Sequence, residues 1–179
     1  MDDTVGKRSR SSAGLRFAAF AVIFVALQAA WAGLEGSQVW KTWMETLNVG
    51  TATAFINLLS PESDALADGT RIRAAGGGLN LLQGCDGAEL LLLLTSAFLV
   101  APLSLKWRAV GWCLGLALAW LLNVGRLVAL FYAWRADPGT FDVLHNYIGP
   151  VFLILILALY VNGVFAFAAE SAGDEGATA

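Results

Sequence analysis

The sequence predicts an all-α integral membrane protein with about four transmembrane helices, an interfacial helix and a short extracytoplasmic hairpin ahead of Cys85. Three observations carry that class. The chain has 179 residues, of which 58% are hydrophobic and only 14% charged, and its mean hydropathy is +0.66, too apolar for a soluble domain of this length. Apolar runs long enough to cross a hydrocarbon core recur along it. Basic residues fall in the N-terminal tail and in one short link, the asymmetry that orients membrane helices. The net charge of -3 is small and no nucleic-acid recognition motif is present, so the expected partner is a lipid bilayer and not DNA or RNA.

Residues 1–16 form a basic cytoplasmic tail holding Lys7, Arg8, Arg10 and Arg16, and residues 17–34 are an apolar first span running from inside to outside. Ala30-Trp31-Ala32 fits a signal-peptide cleavage pattern, but the apolar run is longer than a usual signal core, which favours an uncleaved anchor. From Glu35 to Gly69, Trp40, Trp43, Leu47, Phe55 and Ile56 are mixed with polar residues and Pro61 ends whatever helix precedes it. This reads as an amphipathic helix at the membrane surface with tryptophans at headgroup level; a span over 49–59 would be too short. Residues 70–84 alternate weakly and break at Gly76-Gly77-Gly78, so a short hairpin is expected, with a flexible loop as the alternative.

The second span is placed at about 86–105 and the third at about 109–134, joined by the short basic link Lys106-Trp107-Arg108. So short a link makes the two an antiparallel pair, and its charges place it in the cytoplasm. An outer loop over 135–144 carries Asp137 and Asp142, and the last span covers about 146–167. The acidic tail, 170–179, is expected to be disordered and cytoplasmic. The membrane-embedded domain is therefore 17–169.

An ionisable residue inside a span costs at least about 2.5 to 3.5 kcal/mol on insertion scales, so each one needs a reason. Glu89 lies one turn into the second span and Arg126 about two turns from the outer end of the third, at comparable depth. A buried pair between them, locking two helices, is the plain structural reading of both. Asn123, three residues from Arg126, shares its helix face. His145, the only histidine, opens the last span at the outer surface where Cys85 also lies.

This topology brings together a thiol, a guanidinium and an imidazole. A thiol of pKa near 8.5 needs a base or a nearby cation to become a useful nucleophile, and His145 can take its proton and later return it to a leaving amine. Arg126 can stabilise an oxyanion. Lone cysteines and boundary histidines are more often packing residues, and that reading stays open here. A disulfide between Cys85 and Cys113 is not expected, because both lie in or beside lipid-length apolar segments. Nor does any Cys-x-x-Cys pair support a thiol-disulfide enzyme.

Gln83-Gly84-Cys85-Asp86-Gly87 before one span, Asn123-Val124-Gly125-Arg126 near the outer end of the next, and His145 at the start of the last resemble the exosortase/archaeosortase family over roughly residues 50–165. The resemblance implies an integral membrane cysteine peptidase or transpeptidase. It would cleave C-terminal sorting signals of secreted proteins, each a short motif followed by a transmembrane helix and a basic cluster, through a thioester on Cys85. It further implies Cys85 as nucleophile, Arg126 as transition-state stabiliser and His145 as acid/base, with Asn123 matching the arginine motif; Glu89 and Gly87 stand beside these as supporting candidates, and neither cofactor nor metal is expected. The implied location is the bacterial inner membrane, multi-pass, with the site on the extracytoplasmic face. The chain is shorter than larger members of the family, with fewer N-terminal spans. The competing function is a non-enzymatic scaffold or transporter subunit built on a Glu89–Arg126 intramembrane pair, in which Cys85 would be dispensable.

Overall fold

The computed structural model describes residues 3–82 and 84–177, with side chains over 13–82 and 84–171. Helix α1 spans Asp3–Gly33; a helical rod follows, made of α2 (Gln38–Lys41), a π-helical stretch (Thr42–Gly50) and α3 (Thr51–Leu59). Three short strands, β1 (Leu66–Asp68), β2 (Arg71–Arg73) and β3 (Leu79–Asn80), precede α4 (Ala88–Val100) and α5 (Leu105–Ala136). The chain closes with α6 (Pro138–Val143), a π-helical turn (Leu144–Ile148) and α7 (Gly149–Ala177). The protein is an all-α membrane protein. Three segments, Ala13–Gly33, Leu105–Ala136 and Pro138–Ser171, are long and apolar enough to cross a membrane. Their outward faces carry exposed large apolar side chains, among them Phe17, Val22, Leu114, Leu121, Val151 and Leu159, as a lipid-facing surface requires.

Helix α5 is the central element: α3, α4 and α7 all pack on it, and α1 packs on α4. Its N-terminal half is shaped by small residues. A side-chain carbon added at Gly111 would meet Phe98 at 2.8 Å and Val164 at 2.9 Å, and one at Gly115 would meet Tyr160 at 2.9 Å. The four-residue spacing lets α4 and α7 approach the α5 backbone closely, as small residues do between membrane helices. The Tyr160 hydroxyl donates to the Gly111 carbonyl at 2.6 Å, and the Trp112 indole N–H donates to Thr95 Oγ1 at 3.0 Å across α5 and α4.

The structure moves three boundaries. The second expected span is only partly helical: α4 has 13 residues, about 20 Å of rise against a hydrocarbon core of about 30 Å. Pro102 ends it, because the residue before a proline is pushed out of the helical region, and Ala101 is extended at φ -61° and ψ 134°. The link between α4 and α5 is consequently 101–104, and Lys106, Trp107 and Arg108 lie in the first turns of α5. Arg108 folds back to donate to the Ala101 carbonyl at 2.9 Å. The expected outer loop over 135–144 contracts to a turn at Asp137, whose carboxylate accepts from the Thr140 N–H at 2.7 Å and its hydroxyl at 3.0 Å. With Pro138 in the first helical position, that cap starts α6 directly. Both α1 and α7 also extend beyond the apolar segments, into the basic tail and to Ala177 respectively.

The amphipathic helix expected after residue 35 is present, but protein covers its apolar face. Met44, Asn48, Ala52 and Ile56 recur at every fourth position and are all buried, with Val49 and Thr53 beside them. They pack against Val124, Leu127 and Phe131 of α5, and Ala65, Ile72 and Leu81 from the sheet region close the cluster. Within the π-helical stretch, Asn48 Nδ2 donates to the Trp43 carbonyl five residues back at 3.0 Å. The opposite side keeps Val39, Leu58 and Leu59 exposed, available to lipid.

The expected hairpin is β2–β3, with Ile72 opposite Leu79 and Arg71 opposite Asn80. It turns through the glycines at 76–78, and Gly77, at φ +124°, lies 3.2 Å from Trp134 Nε1, measured from where a side chain would begin. Strand β1 adds to its other side, giving the order β1-β2-β3.

Candidate active site

Cys85 lies in the loop between β3 and α4. The loop is tightly shaped: Gly84 has φ +84° and Gly87 φ +73°, positions that an L side chain rarely adopts. The intervening Asp86 is buried, and its Oδ2 accepts from the Trp43 indole N–H at 3.1 Å. That bond ties the loop to the 42–50 rod, and Cys85 itself packs half-buried against the outer core cluster. Gln83, part of the motif read from the sequence, lies outside the described residues.

A second anchor comes from α5. Asn123 is fully buried, and its Nδ2 donates to Asn48 Oδ1 at 3.0 Å and, with longer geometry, to the Cys85 carbonyl at 3.4 Å. Gly87 permits this contact, since a side-chain carbon there would fall 2.6 Å from Asn123 Cγ. Gly87→Ala is therefore expected to cost about 1 to 3 kcal/mol, from both the clash and the left-handed backbone. The check is thermal unfolding in detergent beside activity. Combining Gly87→Ala with Asn123→Ala should recover part of the stability, because the 2.6 Å clash with Asn123 Cγ is removed while the 2.9 Å approach to its Cβ remains; strictly additive losses would show that the contact is not the cause.

The expected thiol–imidazole pair is present: Cys85 Sγ is 3.6 Å from His145 Nε2. The π-helical turn at 144–148 presents His145, whose ring stacks on Phe141 with centroids 5.3 Å apart and planes 6° from parallel. Its Nδ1 is buried without a hydrogen-bond partner among the described residues. Arg126 reaches across from α5 and donates through one terminal nitrogen to the His145 carbonyl at 3.3 Å, while its Nε is buried and has no hydrogen-bond partner among the described residues. Gly149 leaves room for the guanidinium, because a side-chain carbon there would sit 3.0 Å from Arg126 Nε. The outward extension that Arg126 needs against the usual helical lean is thus accommodated.

Glu89 behaves differently from the sequence expectation. Among the described residues the only ion pair is Arg73 with Asp68; Glu89 is exposed and makes none with Arg126. The reason lies at the start of α4. Glu89 occupies its first turn, where a carboxylate is favoured by the helix N-terminus without a cationic partner, and Arg126 turns instead toward the backbone at His145.

Burial pushes the Cys85 thiol above its ordinary value; the Arg126 charge opposes this, and the carboxylates of Asp86 and Glu89 add to it. The thiol is therefore protonated at neutral pH and depends on a base to react. An imidazole nitrogen at its side supplies one.

Cys85, Arg126, His145, Asn123 and Gly87 thus converge, and Glu89 stands at the edge. Sequence reasoning missed Asn48, the Trp43–Asp86 bond and the Phe141 stack. The four-residue spacing of Met44, Asn48, Ala52 and Ile56 was the available signal for the first; the others link residues distant in sequence and leave no local trace.

No curated protein and no solved structure matches the chain. The family model of the transmembrane exosortases matches it over residues 10–161. That match takes in α1 and the 38–59 rod as well as the Cys, Arg and His segments, and it covers well over half the sequence. The chain belongs to the transmembrane exosortase family.

Proposed function

We propose that this protein is a membrane cysteine peptidase or transpeptidase that cleaves C-terminal sorting signals of secreted proteins, with Cys85 as nucleophile. The observation that carries the reading is the 3.6 Å approach of Cys85 Sγ to His145 Nε2, beside the Arg126 guanidinium. His145 Nε2 takes the thiol proton, and the thiolate attacks the scissile carbonyl carbon. The resulting oxyanion is stabilised by the Arg126 guanidinium, whose Nε makes no hydrogen bond among the described residues. Collapse breaks the C–N bond, His145 returns the proton to the departing amine, and a thioester remains on Cys85. Water or an acceptor amine then attacks the thioester, with His145 again taking the proton, and the Cys85 thiolate leaves. Asn123 and Asp86 act through position, fixing the Cys85 loop from α5 and from the 42–50 rod. Family membership supports transpeptidase chemistry in general, and among the described residues Glu89 makes no ion pair with Arg126, the contact on which the scaffold alternative rests. Deleting the gene should leave at least one secreted protein with its C-terminal transmembrane segment uncleaved, read by mass spectrometry of membrane and secreted fractions. An unchanged set of C-termini would refute the assignment.

The proposal includes a site on the extracytoplasmic face of the bacterial inner membrane, the location the family resemblance implies; Lys106 and Arg108, near the opposite ends of α4 and α5, support that orientation. In a variant lacking both native cysteines, an impermeant thiol reagent added to intact spheroplasts should label Asp142→Cys and spare Lys106→Cys and Thr178→Cys. Labelling at 106 from outside would invert the arrangement.

A further inference from the structure

Beside Cys85 and His145 lies a slot of about 30 Å³, with Leu79, Asn80 and Leu81 on one wall and Leu130 and Phe141 on another. A slot this narrow, walled mainly by apolar side chains, suits a small apolar side chain better than an aromatic ring. Strand β3 is the edge of its sheet, and its hydrogen-bonding phase can be worked out. Leu81 N–H donates to the Thr70 carbonyl at 2.8 Å, and in the observed register Leu79 faces Ile72. Those residues form the hydrogen-bonded pairs, so Asn80, opposite Arg71, belongs to the intervening non-bonded pair. Its backbone N–H and C=O therefore point away from β2, and no described residue bonds to them. A free donor and acceptor on an edge strand, next to a nucleophile, form a template for one more strand.

We propose that the substrate peptide docks in extended form on the outer edge of β3, pairing with the Asn80 backbone. The residue whose carbonyl Cys85 attacks places a small apolar side chain in the slot. This inference deepens the peptidase reading and rests on it. Edge pairing fixes the direction and depth of the peptide, and the slot then selects the side chain beside the scissile bond.

The test uses the full-length protein in detergent and a set of peptidyl chloromethyl ketones, acetyl-Gly-Gly-Xaa with Xaa alanine, valine, leucine or phenylalanine. The rate of Cys85 alkylation is read by intact mass and normalised to the rate with iodoacetamide, which has no peptide to dock. The alanine and valine probes should outpace phenylalanine at least about tenfold, the scale on which apolar pockets discriminate. Leu79→Ala should raise the phenylalanine rate, and Leu79→Phe should slow even the alanine probe. Methylating the probe's amide nitrogens one at a time should slow alkylation about tenfold at one position, where the bond to Asn80 is lost. Peptidyl probes that outpace iodoacetamide but show no side-chain preference, in wild type and both Leu79 variants, would overturn the slot. Indifference to every methylation would overturn the edge pairing. Both results would leave the peptidase reading standing, whereas peptidyl probes no faster than iodoacetamide would overturn that reading and the proposal together.

Discussion

Cys85→Ala should lower processing of the secreted substrate by at least about a thousandfold, while the protein still accumulates in the membrane. A nucleophile that forms the acyl-enzyme has no substitute at the site: Cys113 is exposed and precedes Arg126 on α5 by about 20 Å of helix rise. The structural cost is small, because Cys85 is only half-buried and loses one sulfur atom against the outer cluster, about 1 kcal/mol or less by the scale of buried-group deletions. Abundance and activity should therefore separate. Cys113→Ala should leave processing within about twofold of wild type, since its side chain touches no part of the site. The measurement is an immunoblot of the substrate's C-terminal fragment beside the membrane level of each variant. Wild-type processing by Cys85→Ala would return the protein to the scaffold class.

The parts of the fold legible in the sequence were those written in local pattern. Lipid-length apolar runs gave α1, α5 and α7, and three successive glycines marked the β2–β3 turn. Boundaries that depend on capping were less visible, although their signals were present. Pro102 moves the α4–α5 link toward the N-terminus, and Asp137-Pro138 with Thr140 converts an expected loop into a helix start. The site shows the same division. Topology was enough to bring Cys85, Arg126 and His145 to one end of the bundle, but not to say what holds them. The holding groups, Asn48 with Asn123 and Trp43 with Asp86, are 75 and 43 residues apart, and single-sequence periodicity carries no record of such pairings. Glu89 and Arg126 failed to pair for a related reason. Depth along a helix says nothing about azimuth, and one terminal nitrogen of Arg126 is taken by a backbone carbonyl that no sequence pattern marks.

Arg126→Ala and His145→Ala should differ in the shape of their pH profiles as well as in size. Burial raises the Cys85 thiol while Arg126 holds it down, so the reactive thiolate is scarce at neutral pH and grows as pH rises. Without His145, acylation should fall at least about a hundredfold at pH 7 and recover by an order of magnitude or more in alkali, where the thiol ionises unaided. Removing Arg126 has two effects of the same sign. The thiol moves further up, shifting the alkaline limb to higher pH, and the oxyanion loses its donor, lowering the plateau by about a hundredfold or more. Alkali can correct the first effect but not the second. Arg126→Ala should therefore stay slow at every pH, and Arg126→Lys, which keeps charge but not the Nε donor, should restore the limb more than the plateau. Each rate must be referred to folded protein, for a definite reason. A thiol whose pKa is higher folded than unfolded favours the fold below its unfolded pKa, and that contribution is lost as pH rises through the folded value. Glu89→Gln supplies the control: with no bond to Arg126, it should change acylation by less than about fivefold. The measurement is capture of the Cys85 thioester in detergent across pH 6 to 10. Full alkaline recovery of Arg126→Ala, with none for His145→Ala, would show that the two side chains exchange the roles assigned to them.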